Sequence, residues 1–185
     1  MRQLITSLLF IILSTLRLSA SNSNEALEKE SFKKQLEEKI NEIEEMHVKY
    51  KFPDCNFYAQ FMGNEGMKRV SERLGHYNFE TVLLGYNNVD KEGLQYVFDL
   101  IQNSDCATLG LYGNPFEEDE GSRKRILKYI ERSSSLTSFN GTVGYTEEER
   151  ERIQKALKRN RNRIGIKDFL PFNGYFDLRI LYGSE

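Results

Sequence analysis

The sequence predicts an α/β fold in which short strand–turn–helix units repeat after an N-terminal helix. Three nine-residue stretches begin 27 residues apart, at Phe52, Phe79 and Cys106. Each stretch has apolar residues at its first, fourth and sixth positions and an amide side chain at its ninth. An apolar pattern of helical spacing follows each stretch, so the fixed period indicates a repeat architecture.

The composition limits both the size of the fold and the class of partner. The chain has 185 residues, enough for one ordinary hydrophobic core but hardly for two. Its 26 basic and 28 acidic residues leave a net charge of −2. A nearly neutral chain has no overall field that would collect nucleic acid or an anionic membrane. Neither partner is therefore expected.

Residues 1–21 have the layout of a secretory signal peptide. Arg2 precedes an apolar run from Leu4 to Leu16, and small polar residues follow. The run is shorter than the roughly 20 residues that a membrane-spanning helix needs. We expect cleavage after Ser21, which yields a secreted or exported protein with no stable membrane span. An uncleaved signal that anchors the chain in a membrane is the alternative.

Residues 22–51 predict an amphipathic flanking helix without glycine or proline. Its apolar positions are spaced by four, four, three and four residues, which places them on one face of a helix. A short coiled coil would use the same spacing, but too few heptads are present to prefer it. The stripe consists of Phe32, Leu36, Ile40, Ile43 and His47.

Residues 52–164 predict a repeat domain of about four units. The first three helical patterns open at Gly66, Gly93 and Gly121. The fourth unit begins at Leu136 but has glycine at its sixth and ninth positions. Its helix is predicted to start with a capping box, because Thr146 is followed three residues later by a glutamate.

This pattern resembles the leucine-rich repeat of the ribonuclease-inhibitor-like type. The resemblance implies a short solenoid with parallel β-strands on a concave side and α-helices outside. It also implies that the ninth-position asparagine satisfies backbone groups in the turn. Asn87 and Asn114 match that role, Gln60 matches it approximately, and the fourth unit departs from it. Residues 165–185 predict a C-terminal cap or an incomplete repeat.

The resemblance implies protein–protein recognition on the concave face. Because strand side chains alternate, positions three, five and seven point away from the core. Neutral polar groups with aromatic anchors suit a protein partner. We therefore expect a non-enzymatic binding module. The alternatives are that these positions are merely solvated, or that the chain regulates an enzyme in the cytosol, as some ribonuclease-inhibitor-like proteins do. The candidate partner-binding residues are Asn56, Tyr58, Thr81, Leu83, Thr108, Tyr112 and Asn140.

The histidines and cysteines do not have the spacing of a metal or catalytic site. His47 and His76 are interpreted as structural, and no metal or cofactor is predicted. Cys55 and Cys106 occupy core-facing positions two strands apart, a separation of about 9.6 Å. That exceeds the roughly 7 Å limit for a disulfide. Both cysteines are therefore predicted to be buried and reduced.

Three further motifs have ordinary explanations. The acidic run 117–120 is interpreted as a solvated approach to a helix rather than a cation or catalytic site. The basic stretch 155–167 places cations at a helix end without aromatic residues for base stacking. Asn140 lies in an Asn-Gly-Thr sequon, a possible glycosylation site in a eukaryotic secretory pathway.

Overall fold

The fold is given by a computed structural model that describes residues 27–165. The predicted signal peptide (1–21) lies outside this range, as does the predicted cap (165–185) apart from Gly165. The chain divides into two compact units, and the boundary falls between Glu42 and Ile43.

Helix α1 spans residues 27–50. Leu36, Ile40 and Ile43 are buried, whereas Phe32 and His47 are half-buried. The predicted stripe thus contains the helix's three buried positions, as one apolar face requires. In the second unit, Glu44 near the end of α1 pairs with Arg73 and accepts a hydrogen bond from the Tyr77 hydroxyl at 3.1 Å.

Four short parallel strands form one sheet in chain order. Their register aligns the third, fourth and fifth positions of every repeat unit, as the 27-residue period predicts. The central residue of each strand is buried. The predicted α/β class and parallel sheet are confirmed. The strands are β1 (Asp54–Asn56), β2 (Thr81–Leu83), β3 (Thr108–Gly110) and β4 (Ser138–Asn140).

A helix follows each strand and packs against one side of the sheet. Connections between parallel strands are right-handed, and each one here leads to the next strand in the same direction. The helices therefore share one side, and the other side, which we call the open face, carries the third- and fifth-position side chains. The helices are α2 (Gly63–Leu74), α3 (Leu94–Ile101), α4 (Glu120–Arg132) and α5 (Glu147–Ile164), with a 3-10 turn at Pro115–Glu118.

The core lies between the sheet and these helices. The sixth-position residues Phe57, Leu84 and Leu111 are at most 1% exposed. They continue the buried side of the strands toward the turns. Helix residues such as Met67 and Leu100 are fully buried, so each helix contributes an apolar face to the same core.

The helix starts agree with the predicted signals except in the first unit. The capping box at α5 is confirmed: Glu149 N donates to Thr146 Oγ1 at 3.2 Å, and Thr146 N donates to Glu149 Oε2 at 2.9 Å. Helix α2 begins at Gly63 rather than Gly66. The Gly63 N–H donates to the Asn87 carbonyl at 2.7 Å, so the connecting turn ends there and the helix begins one turn early.

No helix within residues 27–165 is both long and apolar enough to cross a membrane.

Candidate functional site

The predicted partner-binding residues lie on the open face or at its edge, and none is buried. The strand register places Asn56, Leu83 and Asn140 in one transverse row and Thr81 and Thr108 in another. Asn56 is exposed, and the other four are half-buried. The face is therefore accessible, with short polar side chains around one leucine.

Three tyrosines line the edge of the open face where the strands end. Tyr58 and Tyr112 were predicted there, and the structure adds Tyr86 between them. The Tyr58 and Tyr86 ring centroids are 5.5 Å apart at 82°, and those of Tyr86 and Tyr112 are 5.2 Å apart at 81°. Such edge-to-face pairs are a favourable arrangement of aromatic rings. We call Tyr58, Tyr86 and Tyr112 the tyrosine row.

Two glycines make room for the row. Gly85 occupies the seventh position of its unit, where the neighbouring units have Tyr58 and Tyr112. A Cβ on Gly85 would lie 3.0 Å from Tyr58 Cε2 and 2.9 Å from the Tyr112 carbonyl oxygen. A Cβ on Gly113 would lie 2.6 Å from Tyr86 Cδ1. A larger residue at either position would displace a neighbouring ring or backbone.

Sequence reasoning missed Tyr86 because strict alternation assigns the eighth position to the core. Its backbone instead has φ of 56°, in the left-handed region. This turn conformation brings the ring back to the edge of the sheet, where it is 36% exposed. The available signal was the exchange of glycine and tyrosine between units, since Gly85–Tyr86 aligns with Tyr112–Gly113.

The Tyr86 hydroxyl stays protonated at neutral pH. Its hydrogen bond with Tyr112, followed by burial, by the neighbouring phenols of Tyr112 and Tyr58, and last by Glu117, raises the pKa of Tyr86 to about 12. Tyr86 therefore presents a neutral ring and hydroxyl group at the centre of the row.

Below the row, Asn87 ties together the turns of the first two units. Its Oδ1 accepts from the Gln60 N–H at 3.1 Å, and its Nδ2 donates to the carbonyls of Phe57 at 2.7 Å and Leu84 at 2.9 Å. The side chain is fully buried. Asn87 thus satisfies backbone groups in the turn, as the resemblance implies.

Asn114 repeats these contacts one unit further along. Its Oδ1 accepts from the N–H groups of Asn87 and Val89, both at 3.1 Å. Its Nδ2 donates to the carbonyls of Leu84 at 2.8 Å and Leu111 at 2.7 Å. Asn87 and Asn114 form what we call the asparagine ladder, which holds the backbone at the tyrosine row.

The interpretation of the acidic run as solvated is wrong for Glu117. This side chain is 3% exposed, and its Oε2 accepts from the Gly113 N–H at 2.6 Å. Its Oε1 has no hydrogen-bond partner among the described residues. Burial raises the pKa of Glu117 to about 7, although hydrogen bonds from the Gly113 and Asn114 backbones act in the opposite direction. The 3-10 turn folds this carboxyl inward, under the tyrosine row.

The rest of the acidic run behaves as predicted. Glu118 and Glu120 are exposed. Asp119 is the N-cap of α4 and accepts from the Ser122 N–H at 2.7 Å. That contact with Ser122 holds the pKa of Asp119 below its usual value. A carboxylate at this position is favourable at a helix N-terminus.

His47 and the two cysteines have structural surroundings, whereas His76 is exposed and its ring centroid lies 4.0 Å from that of Tyr77. His47 Nδ1 lies 2.8 Å from the Phe52 carbonyl oxygen, and its ring packs 5.0 Å from that of Phe79. Cys55 and Cys106 are both buried, and burial raises the pKa of the Cys106 thiol to about 12. No group of three or more potential metal ligands occurs in the described part of the chain.

The arginines of the basic stretch contact the loop before β4. Arg159 Nη2 donates to the Ser133 carbonyl and Arg163 Nη2 to the Ser134 carbonyl, both at 2.8 Å. Asn160 Nδ2 adds bonds to the carbonyls of Ser133 at 3.0 Å and Leu136 at 2.8 Å. These contacts give the stretch a role in holding the last unit together.

Comparison with known proteins shows the class of fold. No protein-family model matches the chain, and no curated protein matches it. The structure is similar to the tropomodulin C-terminal domain of Caenorhabditis elegans, with a TM-score of 0.51 and 16% identity, over 71% of this chain and 96% of that one. It is also similar to a structure of leiomodin-1 actin-binding site 2, with a TM-score of 0.50 and 15% identity, over 74% and 92% of the two chains.

These similarities support a leucine-rich-repeat-like fold, in agreement with the repeat found in the sequence. At 15–16% identity they show the fold alone. The ribonuclease-inhibitor-like type of repeat stays a prediction.

Proposed function

We propose that this chain is a non-enzymatic protein-binding module that engages its partner through the open face and the tyrosine row. The observation that carries the proposal is the row itself. Tyr86 and Tyr112 are 36% and 37% exposed, yet packing and two glycines hold their rings in fixed positions. Exposed aromatic rings that are already ordered lose little entropy on binding, which makes them effective interface anchors.

The remaining predicted residues extend this surface across the sheet. Asn56, Thr81 and Thr108 offer hydrogen-bonding groups, and Leu83 offers an apolar contact near the centre. Aromatic anchors surrounded by polar groups are common in protein interfaces. We assign the row the anchoring role and the short side chains the role of complementarity.

The structural neighbours support binding of a protein. One of them is named for an actin-binding site. Actin is therefore a defined probe for this chain, alongside partners captured from its native surroundings. Function does not follow from fold alone, so the proposal rests on the row and not on the neighbours.

We also propose that the protein is secreted or exported, on the strength of the apolar run and small residues in 1–21. Mass spectrometry of the mature N-terminus tests this. Asn22 as the first residue supports signal cleavage. An intact Met1 in a cytosolic fraction contradicts it and favours the alternative, a cytosolic enzyme regulator.

A capture experiment with paired variants tests the binding surface. The Tyr58→Ala, Tyr112→Ala double variant should lower recovery of actin, or of partners from a native extract, by about tenfold or more. Tyr50→Ala is the matched control, because Tyr50 is 61% exposed but belongs to α1 and not to the row. Circular dichroism checks that both variants are folded. Undiminished recovery by a folded double variant rules out this face.

A further inference from the structure

We infer that the part of the partner that binds the tyrosine row is a positively charged segment carrying arginine or lysine. The inference rests on the proposed function and adds the chemistry of the partner. Three features of the described residues carry it: the orientation of the rings, the charges around the open face, and the carboxyl group beneath the row.

The rings are arranged to accept cations. A guanidinium or ammonium group is attracted to the face of an aromatic ring when it lies within about 6 Å of the centroid. In the row, interplanar angles of 82° and 81° turn successive ring faces in different directions. An approaching cation can therefore meet the face of one ring and the hydroxyl of the next.

The charges bordering the strands are mainly negative. Among the described residues, no lysine or arginine occupies a third, fifth or seventh position of any unit, whereas Asp54 does in β1. Glu80 and Asp105 are exposed just before β2 and β3, and Lys51 is the exposed cation just before β1. The face itself thus repels anions weakly and favours a cationic partner.

Among the described residues, the loop that follows Tyr86 carries one cation, Lys91, between two carboxylates, Asp90 and Glu92. Lys91 lies 3.8 Å from Glu92 in an exposed ion pair. Asp90 accepts from Asn64 Nδ2 at 2.6 Å, a contact that holds the pKa of Asp90 below its usual value and keeps it ionised. This side of the surface therefore also carries more negative than positive charge.

Glu117 lies beneath the row. Its carboxyl is bonded to the N–H of Gly113, the residue that packs against Tyr86. Its charge is close enough to raise the pKa of Tyr86. Arg123, a half-buried cation, donates from Nη1 to the backbone carbonyl oxygen of Glu117 at 2.8 Å. When ionised, Glu117 adds attraction for a cation on the rings above.

Other partner chemistries fit less well. A phosphate backbone is bound mainly through lysine and arginine side chains, which the open face lacks within the described residues. A wholly apolar segment would cover the Asp54 carboxylate without giving it a partner, which is costly at an interface. A basic segment can contact the ring faces and pair with the bordering carboxylates at the same time.

Fluorescence anisotropy with labelled peptides tests the inference. The probes are an unstructured peptide of alternating arginine and glycine and three matched peptides with lysine, glutamine or glutamate in place of arginine. The arginine peptide should bind at least about fivefold more tightly than the glutamine peptide, and the glutamate peptide should bind weakest. Equal binding of the arginine and glutamine peptides would overturn the inference.

Two double variants separate the contribution of the aromatic rings from the electrostatic attraction of the surrounding carboxylates. Tyr86→Phe, Tyr112→Phe keeps the ring faces and should bind the arginine peptide within about threefold of the unsubstituted protein. Tyr86→Leu, Tyr112→Leu removes them and should weaken binding about fivefold or more. Equal binding by the leucine and phenylalanine variants overturns the inference. Self-association that disappears in the leucine variant also overturns it, because a second copy would then occupy the row.

Failure of the inference about a cationic partner can be distinguished from failure of the proposed binding function. If partner capture depends on Tyr58 and Tyr112 but the peptides show no preference for positive charge, the binding face stands and only the partner chemistry is wrong. If neither measurement depends on the row, both proposals fail.

Discussion

The carboxyl of Glu117 accepts a hydrogen bond from the backbone N–H of Gly113 at 2.6 Å, at the place where the asparagine ladder ends. The side-chain oxygen of Asn87 accepts a hydrogen bond from the Gln60 N–H in the unit before it. The side-chain oxygen of Asn114 accepts one from the Asn87 N–H in the same way. The next ninth position is Gly144, which has no side chain. Glu117, from the 3-10 turn, supplies the acceptor for this last turn instead.

This relationship makes the stability of the fold depend on pH. Burial raises the pKa of Glu117 from an ordinary 4.5 to about 7, so the folded state holds this proton more tightly than the unfolded state. The contribution to stability is fully present below pH 4.5 and is lost as pH rises through about 7. The expected loss in free energy of unfolding is about 3 kcal/mol. The titratable and charged groups near this carboxyl are Tyr86, Arg123 and Tyr145.

Urea unfolding between pH 4 and pH 8 measures this effect. In the Glu117→Gln variant, which keeps an acceptor for Gly113 without titrating, the decline between pH 4.5 and 7 should be smaller by about 3 kcal/mol. Asp105→Asn serves as a control, since Asp105 is exposed. Parallel pH profiles for the Gln variant and the unsubstituted protein would show that Glu117 does not titrate as described.

The asparagine ladder predicts that alanine at the ninth position costs more stability in the second and third units than in the first. Asn87→Ala and Asn114→Ala each leave buried backbone groups without partners and should cost about 3 kcal/mol of stability. Gln60→Ala is the matched control at the same position. Gln60 is exposed and its Nε2 makes one bond, to the Tyr58 carbonyl at 3.1 Å, so this change should cost about 0.5 kcal/mol or less. Thermal or urea unfolding gives the ranking, and a Gln60 effect equal to the other two would contradict it.

Gly113→Ala should disturb the tyrosine row, and it should therefore destabilise the protein by more than the strain of the backbone alone. Gly113 and Gly165 both have φ of 79°, so alanine is strained by about 1 kcal/mol at either position. Of the two positions, Gly113 is the one where the new Cβ would meet a described residue, 2.6 Å from Tyr86 Cδ1; at Gly165 no atom of residues 27–165 lies within 4 Å. We expect Gly113→Ala to cost about 1–3 kcal/mol more than Gly165→Ala.

Urea unfolding and the near-ultraviolet circular dichroism of tyrosine together check this prediction. The dichroism should change for Gly113→Ala and not for Gly165→Ala. Identical spectra and stabilities for the two variants would mean that Gly113 does not position Tyr86.

The sequence predicted those features that depend on local pattern and period. The register of the four strands, the ladder roles of Asn87 and Asn114, and the capping box at Thr146 each follow from residue type at a fixed spacing. Each of these can be recognised because the same position recurs in several units or because the contact spans three residues.

Features that depend on a turn's backbone conformation could not be predicted in this way. Alternation assigns Tyr86 to the core, but its left-handed backbone places it in the exposed row. An acidic run at a helix start is normally solvated, but the 3-10 turn buries Glu117. In both cases the missing fact was a backbone dihedral or a turn type, which residue spacing does not specify.

Site-specific photo-crosslinking tests whether the open face and the tyrosine row bind a protein partner. A photoreactive amino acid replaces Asn56, which is exposed on β1, or Lys128, which is exposed on the helical side in α4. Position 56 should form an adduct with the captured partner, and the Tyr58→Ala, Tyr112→Ala change should abolish it. Adducts from position 128 but not from position 56 would show that the partner binds the helical side and not the open face.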